Sequence, residues 1–107
     1  MAYFRALTSG SGGGSAINPT ILQHYSQATY SETIPLDSSK HYIVESVYIR
    51  TLGETRIISI ENNTITPLLD EQSSLTYKPE FAISNGNLTI NVSQGSYRFA
   101  VTVFQLD

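Results

Sequence analysis

Cysteine and tryptophan are both missing from this sequence of 107 residues, and charge is scarce: Lys, Arg, Asp and Glu make up 14% of the chain, for a net charge of −3. Each shortage excludes something. Without cysteine there are no disulfides, no thiolate nucleophile and none of the usual zinc sites, so stability must come from packing in any redox compartment. The cations Arg5, Lys40, Arg50, Arg56, Lys78 and Arg98 are scattered, no two adjacent. Nucleic-acid binding needs several cations on one face to release phosphate counterions, so no nucleic-acid partner is expected. No run approaches the ~20 apolar residues needed to cross a bilayer, and membrane insertion is not expected either. The first residues have neither a basic n-region nor an apolar h-region, so export by a cleaved signal is not expected. Asn62-Asn63-Thr64, Asn87-Leu88-Thr89 and Asn91-Val92-Ser93 match the N-glycosylation pattern, which is inert outside a secretory pathway and reads here as strand and turn chemistry.

Catalytic constellations are missing too. His24 and His41 are the only histidines, and neither has a partner at metal-ligand spacing. No serine sits in G-x-S-x-G or S-x-x-K. The Gly/Ser run lacks the lysine and the preceding strand of a phosphate loop. Asp37 and the pair Asp70-Glu71 could in principle supply the two carboxylates of a glycosidase, but Asp70-Glu71 lies in TPLLDEQSSL, a stretch of loop composition. The sequence implies a protein that is not an enzyme, with no cofactor and no metal.

What is present is a core: 40% of residues are hydrophobic, enough for one domain that buries roughly two-thirds of its unfolded surface. Neutral Ser, Thr, Asn and Gln supply the solubility that charge does not. The clearest structural signal is FAISNGNLTINVSQGSYRFAVTV, Phe81 to Val103. Asn85-Gly86 tolerates the positive φ that a type I′ hairpin turn demands at both positions, which sets Ile83 opposite Leu88 and Phe81 opposite Ile90. A second turn at Gln94-Gly95 would set Val92 opposite Tyr97, Ile90 opposite Phe99 and Leu88 opposite Val101. The two turns predict a three-stranded meander with every large side chain on one face and Asn87, Thr89, Asn91, Arg98 and Thr102 on a wetter one.

Such a meander needs a partner layer. Tyr42 to Thr51 and Thr55 to Ile60, rich in β-branched and aromatic residues and separated by Leu52-Gly53-Glu54, are predicted strands. Thr29 to Leu36 and Leu75 to Ser84 are two more, with Pro79 marking an edge or bend. One short helix is expected over Asn18 to Tyr25, with Asn18 as cap and Pro19 at the first helical position. The spacing of turn signals at Asp37-Ser38, Gly53, Asn62-Asn63, Gly86 and Gly95 is that of an all-β fold, an antiparallel β-sandwich or jelly-roll-like domain.

Ahead of this domain, assigned to residues 17–107, lies a segment of different character. Ser9 to Ala16 holds four glycines and three serines and, as free coil, spans roughly 15 Å. Residues 1–16 thus read as an arm whose apolar head, Tyr3, Phe4 and Leu7, is tethered to the domain. The head can be an incidental tail or a linker of cloning origin, an edge strand folded back on its own sheet, or an assembly arm that docks on a neighbouring subunit. The third reading is favoured, because no affinity tag precedes the irregular run and the apolar side chains need shelter.

MAYFRALTSGSGGGS, followed by a short all-β domain ending in SNGNLTINVSQGSYRFAVTVF, resembles the small structural proteins encoded among the tail and baseplate genes of bacteriophages and prophages. The resemblance covers the arm and the last third of the chain. It implies a virion component, made in the host bacterial cytoplasm, that assembles with other virion proteins and copies of itself in a tail, baseplate or fibre. A capsid decoration or head-fibre protein would show the same pattern. It implies no catalytic residues.

The seven tyrosines support a reading of a different class, a carbohydrate-binding, lectin-like module. Tyr42, Tyr48 and Tyr77 are the candidate glycan contacts, as flat rings for stacking on sugars, although tyrosines at a sandwich edge commonly fill the core with their hydroxyls in water. A virion protein that contacts a host cell-surface glycan would satisfy both readings.

Overall fold

The computed structural model describes residues 19–49, 54–93 and 97–106. They form eight strands: β1 (Thr20–Gln27), β2 (Tyr30–Pro35), β3 (His41–Tyr48), β4 (Thr55–Glu61), β5 (Thr64–Asp70), β6 (Glu80–Ser84), β7 (Asn87–Val92) and β8 (Phe99–Gln105). All pairs are antiparallel. A five-stranded sheet in the order β1-β8-β3-β4-β5 packs on a three-stranded sheet in the order β2-β7-β6. The sequence-based expectation of an all-β sandwich therefore holds.

Alternation builds the core. Phe99, Val101 and Val103 of β8, Tyr42, Val44 and Tyr48 of β3, and Ile58 and Ile60 of β4 meet Leu88, Ile90 and Val92 of β7 and Ile34 of β2. Period-2 spacing puts each set on the inner face of its sheet. Two polar side chains tie loops to the sheets: Gln72 braces the five-stranded sheet from the segment after β5, and Arg56 reaches across to β6. Gln72, fully buried, donates through Nε2 to the carbonyls of Ser46 at 2.9 Å and Glu54 at 3.1 Å. Arg56 donates to the Pro79 carbonyl at 2.9 Å and lies over the Phe81 ring at 5.1 Å.

Hairpin chemistry follows the local sequence. Asn85 and Gly86 sit at φ 53° and 75°, with Ile83 paired to Leu88 and Phe81 to Ile90 as expected. Asn62 and Asn63 turn β4 into β5 at φ 49° and 59°, a conformation asparagine tolerates better than most residues. The turn pair Gln94-Gly95, and Leu52-Gly53 between β3 and β4, lie outside the described residues.

Four expectations are corrected. The meander from Phe81 to Val103 does not form: β7 is flanked by β2 and β6, whereas β8 lies in the other sheet between β1 and β3. Val92 therefore pairs with Tyr30 and Ile90 with Glu32, and Phe99 pairs with Gln27 and Tyr48. The apolar sets of β7 and β8 do share one core, but across it instead of side by side. Alternation fixes which face is inward and leaves the neighbouring strand open.

Where a helix is expected over Asn18 to Tyr25, the residues from Thr20 onward are strand β1, and Asn18 lies outside the described residues. A register shift between Ile21 and Gln23 is a bulge that breaks strict alternation, so Ile21, Leu22 and Tyr25 mimic helical spacing. The loop expected at TPLLDEQSSL is in its first half the end of β5. Pro67 is admitted because β5 is the edge of its sheet, and the shift opposite Ile57 and Ile58 again disguises the alternation. Of the strand expected from Leu75 to Ser84, only Glu80–Ser84 is extended pairing, with buried Pro79 immediately before it.

Candidate functional site

Two surfaces stand out. The first is a cleft of about 200 Å3 where β8 begins, with Tyr77, Lys78, Glu80, Ser93, Tyr97 and Phe99 in its walls. Four aromatic rings form a continuous file from core to solvent. Phe99 stacks on Tyr48 at 5.1 Å, Tyr48 meets Tyr97 at 5.6 Å and Tyr97 meets Tyr77 at 5.4 Å. Phe99 and Tyr48 are placed by their inward positions on paired strands. Tyr97 is two residues before Phe99 and continues the same side. Tyr77 comes from the loop between β5 and β6 and is 46% exposed.

A ring held from behind by other rings presents a stiff face at little conformational cost, which suits stacking against the C–H face of a sugar. Lys78, Glu80, Thr76 and Ser93 supply donors and acceptors around it. Glu80 is the one carboxylate among the cleft's lining residues, whereas glycoside hydrolysis by paired carboxylates requires two. Elsewhere, Asp70 and Glu71 are engaged in the backbone, accepting from the N–H groups of Gln72 at 3.0 Å and Thr55 at 3.1 Å. Among the described residues no group of three metal-ligating side chains converges.

Of the candidate glycan contacts, Tyr48 and Tyr77 belong to this file, Tyr48 as the buried support and Tyr77 as the exposed face. Tyr42 does not: it is buried in the core, and its hydroxyl accepts from the Asp37 N–H at 2.8 Å. Tyr97 was not singled out by sequence, although its spacing from Phe99 was the available signal. The arm residues Tyr3, Phe4 and Leu7 lie outside the described residues.

The second surface is the outer face of the five-stranded sheet. His24, Thr102, Glu45, Ile57 and Leu69 are paired in one row across all five strands. Beside it runs a second row of Ile21, Phe104, Ile43 and Ser59. Ile43, Ile57 and Phe104 form an apolar cluster with Leu69 and Leu106, separate from the main core. His24 Nδ1 and Thr102 Oγ1 share a hydrogen bond of 2.7 Å, and His41 Nε2 and Ser59 Oγ one of 2.8 Å.

Glu45 is 2% exposed, its Oε2 has no hydrogen-bond partner among the described residues, and burial pushes its carboxyl up from the ordinary glutamate range. Thr102, expected on a wet face, does point outward and is nonetheless buried. Sequence reasoning missed this face because Ile43, Glu45 and Val47 alternate with Tyr42, Val44 and Ser46, and a strand apolar on both sides shows no preferred inside.

Comparison with protein-family models, curated proteins and solved structures gives no match for this chain.

Proposed function

We propose that this protein is a non-catalytic structural subunit of a bacteriophage virion, located in a tail, baseplate or fibre and made in the cytoplasm of the host bacterium. It assembles through its N-terminal arm, Tyr3, Phe4 and Leu7, with copies of itself and other virion proteins. A capsid decoration or head-fibre role uses the same parts. The observation that supports this reading is the second apolar face of the five-stranded sheet, Ile43, Ile57 and Phe104 with Leu69 and Leu106. A two-layer sandwich needs one apolar face per sheet; this second cluster is itself buried, and it supports the reading as a face able to carry a further layer.

Deleting residues 1–15 tests it. The truncated chain keeps its β-sheet circular dichroism but no longer enters the particle when supplied in place of the full chain. Normal incorporation of the truncated chain ends the assembly-arm reading.

The tyrosine cleft favours a second, compatible role, contact with a host cell-surface glycan. A glycan array with the purified protein, followed by titration of any hit, checks it. Tyr77→Ala is expected to weaken saccharide binding at least tenfold, a cost of about 1.4 kcal/mol, with the melting temperature unchanged. Turnover of a sugar polymer would instead indicate an enzyme.

A further inference from the structure

We infer that β1 is a self-pairing edge: two copies of the chain join antiparallel along residues 23–27, so that two five-stranded sheets become one of ten strands. This goes beyond the assembly reading, which assigns contact to the N-terminal arm, and concerns a different surface, one that belongs to the folded body.

A strand at the edge of a sheet turns every second N–H and C=O away from its one neighbour. Among the described residues the sandwich has four such edges, β1 and β5 in the larger sheet and β2 and β6 in the smaller. Three of them are guarded. β5 contains Pro67, a register irregularity beside it and a terminal Asp70. β2 ends in Pro35, and its Glu32, paired with Ile90 of the core, carries a charge on the inward side. β6 is the shortest strand, five residues opened by Glu80 directly after Pro79. Proline, bulges, inward charge and shortness are the devices that keep sheets from joining edge to edge.

The second half of β1 has none of them. TILQHYSQ runs for eight residues without proline, Asp, Glu, Lys or Arg. Its irregularity is confined to the stretch between Ile21 and Gln23, and from Gln23 to Gln27 the register with β8 is unbroken. Among the described residues β8 is its one strand neighbour, and the chain then crosses at Ala28 and Thr29 to β2 in the other sheet. Six of its eight residues are exposed. Ile21, at 59%, is the most exposed large apolar side chain among the described residues.

Side-chain chemistry selects a second copy as the occupant. Antiparallel pairing of residues 23–27 with themselves turns about Tyr25, setting Gln23 against Gln27 and His24 against Ser26. Each of these four side chains both donates and accepts hydrogen bonds, so the strand complements itself and no like charges meet across the axis. Tyr25 is held at that axis by stacking on Tyr30 at 5.1 Å. A two-fold contact of this kind closes on itself, and the guarded edge of β5 stops the enlarged sheet from growing further.

Sedimentation equilibrium of the full chain from about 10 μM to about 1 mM, the range of weak contacts, is expected to show a reversible two-chain species. Gln23→Lys combined with Gln27→Lys sets like charges opposite each other at both ends of the contact, and Gln23→Glu combined with Gln27→Glu does so with the other sign. Each double variant is expected to raise the dissociation constant at least tenfold, whereas an equimolar mixture of the two restores association as a hetero-pair. Both positions are exposed, and far-ultraviolet circular dichroism checks that the fold is kept. Deleting residues 1–15 leaves the association unchanged. A monomer throughout the range overturns the self-pairing edge, as does a mixture that stays monomeric. Association that survives in both double variants places the contact elsewhere and overturns it too, and association lost on the deletion assigns the contact to the arm. Entry of the truncated chain into the particle is a separate measurement, so the assembly arm stands or falls by itself.

Discussion

Two buried polar residues make the sharpest statements about stability. Gln72 ties the segment after β5 to the five-stranded sheet by donating to the Ser46 and Glu54 carbonyls. Gln72→Ala removes both bonds, although the Glu54 carbonyl keeps the Tyr48 N–H at 3.0 Å, and is expected to cost about 1 kcal/mol, as read from the midpoint of chemical denaturation. Glu45 behaves oppositely with pH. Burial raises its carboxyl, so the folded chain binds that proton more tightly than the unfolded chain, and stability falls as pH rises above the unfolded value of about 4.3. Glu45→Gln removes this dependence. The melting temperature of the variant should therefore gain on that of the parent as pH is raised from about 4 to 7; a constant difference across that range contradicts the assignment.

At the scale of elements, turns and edges are the revealing parts. Gly86 has open space where a Cβ would stand, but its φ is 75°. Gly86→Ala is expected to cost about 1 kcal/mol through backbone strain alone, whereas Asn85→Gly should stay within about 0.5 kcal/mol, both measured by urea unfolding. Local chemistry of this kind was legible in advance. The β6–β7 hairpin, its register, and strands β2, β3 and β4 all follow from Asn-Gly and β-branched alternation.

What was not legible depends on contacts between distant segments. The bulges at Leu22 and near Leu68 hide β1 and β5, because each inserts one residue into an otherwise regular alternation. The choice of neighbour for β7 is invisible for another reason: Leu88, Ile90 and Val92 are equally well buried beside β8 or opposite it. The cleft was half legible. Tyr77 and Tyr48 were singled out as aromatics, but the file that unites them depends on Tyr97 and Phe99, whose expected partners lay in the wrong sheet. The outer face was not legible at all, since nothing local tells a strand which of two apolar sides will meet the second layer.

For the whole molecule, the central fact is that the last strand is an interior one. β8 pairs with β1 on one side and β3 on the other, and it supplies Phe99, Val101 and Val103 to the core. Ending the chain at Arg98 should therefore abolish the cooperative unfolding transition instead of merely lowering its midpoint, with near-ultraviolet circular dichroism and calorimetry as the measurements. Survival of a sharp transition would mean that β1 and β3 can close on each other. Because β8 closes contacts with segments far apart in sequence, the chain cannot complete its larger sheet until its end is available, and refolding is expected on the slow millisecond-to-second scale of β-sandwiches.

The pairing of Thr20 with Gln105 brings the two ends of the folded body to one corner. Phe99 and the tyrosine cleft lie at the other end of β8, about 20 Å away along the strand. Whatever is fused or tethered at either end, a tag, a surface anchor or a second module, hangs from that corner and leaves the cleft pointing outward. The same proximity makes the body suited to circular permutation, with the old ends joined by a short linker and new ones opened at the Asn62-Asn63 turn.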